Sequence, residues 1–79
     1  MELERRIVVL HERVWSALES AMKAHAPWDV CAHLLSSGRL MDEQCFASHR
    51  PNRSNRSKAA ADVADAERAL LDWRSWAER

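Results

Sequence analysis

Seventy-nine residues carrying twelve basic and twelve acidic side chains give zero formal net charge, which removes the broad positive field of a dedicated nucleic-acid binder. One glycine, two prolines and no tyrosine, beside many Ala, Leu, Arg and Glu residues, argue against sheets, which draw on β-branched residues and turn glycines. Two cysteines are too few for a disulfide framework, and the longest early apolar run, Ile7 to Leu10, is too short for a signal-peptide core or a membrane span.

The expectation is therefore one small all-α domain over residues 1–79, cytoplasmic and without a cofactor. A core of this size only just offsets an ordering entropy of roughly 1.5 kcal/mol per residue. Pairing with a second copy would supply the missing burial, so a homodimer is expected.

The first helix is predicted over about residues 2–26, near 37 Å at ~1.5 Å per residue, and stops where Pro27 disfavours helical angles in its predecessor. Leu3, Ile7, Leu10, Val14, Ala17, Ala21 and Ala24 form an apolar seam along it. A second row, Val8, Trp15 and Met22, joined by Leu18, gives it another apolar side that needs cover. Two short helices, about 27–36 and 42–49, are predicted to supply that cover, either within the chain or across a dimer, the first starting at Pro27 and stopping at Gly38. Trp28, Cys31, Leu34 and Leu35 face one way on the first, and Met41, Cys45 and Phe46 are the apolar residues around the second. Residues 50–57 read as an exposed basic linker. A last helix over about 58–78, with Ser57 as N-cap, carries the seam Ala59, Val63, Ala66, Leu70, Trp73 and Ala77.

Side-chain size falls along the first seam and rises along the last. An antiparallel hairpin of the long N- and C-terminal helices would set bulky residues against bulky and small against small, letting the axes close at one end. With the two short helices in the connection, that hairpin is the predicted architecture.

Candidate chemistry is sparse. Cys31, His33, Cys45 and His49 have residue types that bind zinc, yet on a helix positions two apart point about 200° away from each other, so no metal is expected. Either cysteine beside a histidine lacks the orienting group and Gly-rich elbow of a nucleophilic site, so an enzyme is not expected either. His11 and His25 flank the first seam and are read as covering it, with a ring nitrogen on water or a carboxylate. Residues 28–49 resemble a helix-turn-helix, but Asp42 and Glu43 open its second helix where DNA phosphates would lie.

Arg50, Arg53, Arg56 and Lys58 could meet phosphates, with no aromatic residue among them to stack on a base. Trp15 and Trp73 sit in apolar rows with Val8, Leu18, Met22 and Leu70 and are read as core or dimer contacts. Trp28 and Trp76 are the expected partner contacts, bordered by Arg50, Arg53 and Arg56, because tryptophan is enriched at interface hot spots. In size and style, though in no particular residue, the whole chain resembles the small proteins with which phages and mobile elements block host factors, such as anti-CRISPRs. The expected function is a non-enzymatic protein-protein interaction module, an adaptor or inhibitor. A nucleic-acid-associated regulator is the competing class, and a zinc module a lesser one.

Overall fold

The computed structural model describes residues 2–47 and 53–79. Among them the chain forms three helices and no strand: α1 (Glu2–Lys23), α2 (Trp28–Ala47) and α3 (Arg53–Ala77). All three pack on one another, within extents of 40 × 18 × 16 Å.

The first helix ends almost as expected. Ala26 N–H donates to the Ala21 carbonyl at 2.9 Å and His25 N–H to the Met22 carbonyl at 3.2 Å, with His25 at a φ of 56°. This is a Schellman cap with histidine in the position that usually holds glycine. The chain then re-enters helix through Pro27, whose carbonyl accepts from Val30 and Cys31.

The two short helices of the connection are instead a single helix. α2 continues through Gly38, which is buried and has no positive φ. A Cβ at Gly38 would lie 2.9 Å from Cε2 and Cζ2 of Trp15, so this glycine admits the Trp15 indole against the α2 backbone rather than stopping the helix. A glycine inside a helix costs roughly 1 kcal/mol relative to alanine, which the packing of an aromatic side chain readily offsets. With no turn near Gly38, the helix-turn-helix likeness also lapses.

The antiparallel pairing of the terminal helices is overturned as well. Arg6 pairs with Glu67, and further along the same groove Ser16 and Ser20 of α1 lie with Trp73 and Arg74 of α3. Both helices therefore advance in the same direction. The reason is α2: as a full-length helix it runs back along α1, and α3 then runs forward again beside both. The opposed size gradients suit this parallel run better, since Ala17 shares the groove with Leu70 and Trp73. Large then meets small along the pair, and the axes keep an even distance.

Part of the expected basic linker is helix too. α3 begins at Arg53, four residues before the expected cap at Ser57, which is exposed inside the helix. Arginine and lysine have helix propensities close to leucine, so helix can extend here without an apolar face.

The core joins Ile7, Leu10, Val14, Ala17, Leu18 and Ala21 with Cys31, Leu34 and Met41 and with Ala59, Val63, Ala66 and Ala69. Most of the first predicted seam and half of the second are there, with Leu3, Leu70 and Trp73 partly buried against the core. Ala24 and Ala77, at the ends of those seams, are exposed.

Candidate interaction surface

Heptad spacing on α1 puts Val8, Trp15 and Met22 in one row, and on α2 it puts Trp28, Leu35 and Asp42 in another, with Phe46 one turn beyond. The two rows are tied together at Asp42, whose Oδ1 accepts from Trp15 Nε1 at 3.1 Å and pairs with His11 Nε2. α2 covers part of the α1 row: Leu18 is buried and Trp15 half-buried over Gly38. The rest is open to solvent, with Val8 55%, Met22 63%, Trp28 77% and Phe46 83% exposed. Since each aromatic side chain carries about 150–250 Å², Trp28 and Phe46 alone present roughly 250–400 Å² of apolar surface, within the range of the largest patch on an ordinary monomer.

Charged residues border this strip. Glu12 and Glu19 run along its α1 side and Arg39 along its α2 side. Glu19 is paired with Lys23.

The opposite side of α2 is built differently. Ser37, Gln44 and Asp62 are buried polar residues. Ser37 Oγ donates to Asp65 Oδ2 at 2.7 Å, and Gln44 Nε2 to Asp62 Oδ2 at 2.7 Å. Lys58 Nζ donates to Asp62 Oδ2 at 3.1 Å and to Glu43 Oε2 at 3.2 Å, and hydrogen bonding first to Asp62 and then to Glu43 holds its pKa above the usual value. His33 stands between Asp65 and Asp72. This polar ladder went unread in the sequence. Its signal was a pair of matching polar rows, His33, Ser37 and Gln44 at steps of four and seven, and Lys58, Asp62, Asp65 and Asp72 at steps of four, three and seven.

Between α1 and α3 runs an open groove of about 710 Å³, floored by Leu10, Ala17, Leu70 and Trp73 and edged by Arg13, Glu67 and Arg74. Trp73 and Trp76 stack with ring centroids 5.7 Å apart and planes at 21°, so both are half-buried. Trp76 is thus less available to a partner than Trp28. Of the basic cluster, Arg56 is exposed, Arg53 is described only as backbone in the first turn of α3, and Arg50 lies outside the described residues.

The metal candidates do not converge. Cys31 is buried, with Sγ donating to the Ala26 carbonyl at 3.8 Å, while His33 reaches the other way to α3. Cys45 is half-buried, where burial first and the charge of Asp42 second push its thiol pKa up, away from the thiolate that zinc needs. His49 lies outside the described residues. Among the described residues no three His, Cys, Asp or Glu side chains are grouped to hold an ion, and no helix is long and apolar enough to cross a membrane.

Comparison with known proteins returns no matching family model, curated protein or solved structure.

Proposed function

We propose that this protein is a non-enzymatic protein-protein interaction module, a small adaptor or inhibitor, and that the α1–α2 strip is its docking face, taken by a second copy to give a homodimer. The observation that carries this is the alignment of Val8, Met22, Trp28 and Phe46, all more than half exposed, along one face of the bundle. An interface of ordinary size buries about 800 Å² per partner around an apolar, aromatic centre, and Trp28 and Phe46 would supply such a centre here.

Charge supports a second copy as the occupant. A two-fold axis running along the helices lays α1 of one protomer over α2 of the other. The contact of His11 with Asp42 and of Trp15 with Gly38 puts Glu12 and Arg39 near the same height on the bundle. Both are exposed, and neither enters an ion pair among the described residues. In the two-fold arrangement Glu12 of each copy meets Arg39 of the other.

Sedimentation equilibrium tests this reading. The 9.1 kDa chain is expected at twice its mass, and Trp28→Ala with Phe46→Ala to give monomer of unchanged helicity. Arg39→Glu should weaken association and Glu12→Arg added to it should restore it. A wild-type monomer at millimolar concentration, or a double alanine variant that pairs as tightly as wild type, would refute the proposal. The nucleic-acid reading has less support, because Lys58 is already held by Glu43 and Asp62.

A further inference from the structure

On the polar side of α2 one imidazole is placed between two carboxylates. His33 has Nε2 3.2 Å from Asp65 Oδ1 and Nδ1 2.9 Å from Asp72 Oδ2. A neutral imidazole has one N–H and one lone pair, so one nitrogen would turn its lone pair toward a carboxylate oxygen. Only the imidazolium can donate at both.

A protonated aspartate could also complete the pattern, but Asp65 is poorly suited to hold that proton. Burial tends to raise its pKa, while the Ser37 hydroxyl at 2.7 Å, His33 and the charge of Arg68 together keep it below the usual carboxylate value. Asp72 has a half-exposed side chain and remains solvated. Other charges near the imidazole are few. Asp29 on the preceding turn of α2 and Arg79, two residues past α3, line the same cleft, together with Trp76, and no ionisable residue of α1 does.

From this geometry we infer that His33 is a pH-gated clip: as an imidazolium bridging Asp65 and Asp72 it fastens the C-terminal half of α3 to α2, and loss of its proton loosens that half. The inference is independent of the docking face, which lies on the other side of α2.

The direction of the pH effect follows from the groups involved. Burial alone would lower the His33 pKa, but the hydrogen bonds to Asp65 and Asp72, and then their charges, outweigh it and raise the value above the ordinary 6.5. A group with a raised folded pKa contributes fully below its unfolded value and loses that contribution as pH rises through the folded value. Asp65 behaves in the opposite sense, contributing above its ordinary 3.8 and losing that contribution as pH falls through its lowered folded value. The clip is therefore tight between the ordinary carboxylate value and the ordinary imidazole value, and opens toward alkaline pH.

The test is a carbon-resolved proton NMR titration of the His33 ring in the whole chain, with chemical denaturation at pH 6 and pH 9 alongside. We expect His33 to titrate above 6.5 and Asp72→Asn to bring its midpoint down. Between the two pH values the wild-type folding equilibrium constant should fall at least twofold more than that of His33→Gln. Fluorescence of the Trp73 and Trp76 pair should change over the range in which His33 loses its proton. If His33→Gln does not fold, the midpoint in Asp72→Asn decides. A wild-type midpoint at or below 6.5, an unchanged midpoint in Asp72→Asn, or equal alkaline losses in wild type and His33→Gln would overturn the inference.

Discussion

The two seams that α2 makes are opposite in chemistry. On one side it offers the bare backbone of Gly38 to the Trp15 ring of α1 and adds Leu34 and Met41 to an apolar core shared with Val14 and Leu18. Toward α3 it offers His33, Ser37 and Gln44, and receives Asp62, Asp65 and Asp72. Burial energy is proportional to area and indifferent to direction, so the apolar seam drives association of the helices but discriminates weakly between nearby registers. α3 makes that problem acute, because its buried face is mostly alanine at 59, 66 and 69, a smooth surface that could slide by a turn at little cost. Hydrogen bonds at fixed positions all fail together on such a slide, each at a net cost of about 1 kcal/mol. The apolar seam supplies stability and the polar ladder supplies register.

Three changes test that division. The largest effect is expected in the core: Met41→Ala, at a fully buried position, should cost about 2–5 kcal/mol in urea denaturation, and a cost under 1 kcal/mol would show that the centre of the bundle is loosely packed. Next, Gly38→Ala should cost about 1–3 kcal/mol, although alanine favours helix, because the added Cβ meets the Trp15 ring at 2.9 Å; a gain in stability would show that the close approach carries no energy. The smallest net effect concerns the ladder. Asp62→Leu alone strands the buried Gln44 amide and should cost about 1–3 kcal/mol, whereas Asp62→Leu with Gln44→Leu should recover most of it. The double variant should nevertheless show broadened amide resonances from exchange between registers, and a single sharp set would remove register from the ladder's role.

Much of the helical content could be read in advance. Apolar periodicity located α1 to within three residues at its C-terminal end and picked out Ile7, Leu10, Val14, Ala17 and Ala21, then Ala59, Val63 and Ala66, as buried. Gly38 misled because glycine is both a helix stop and the residue that lets another side chain approach the backbone. Only the position of Trp15, twenty-three residues earlier, separates the two meanings. The direction of α3 was lost with it, since breaking α2 in two removed one reversal of the chain. The exposed apolar strip is half legible in the sequence: heptad spacing puts Val8, Trp15 and Met22 in a row that needs cover, but Phe46 and Leu35 join it only because α2 runs unbroken.

Sequence alone determined that this chain is helical and which stripe of each terminal helix turns inward, because periodicity and propensity are local properties that the chain carries wherever it folds. Tertiary structure alone decided that one full-length helix rather than two short ones joins the terminal helices, that α1 and α3 run parallel, and that His33, Ser37 and Gln44 find aspartates. Those outcomes depend on which distant residues come together, and a polar side chain reads as solvent-facing until its partner across the seam is known.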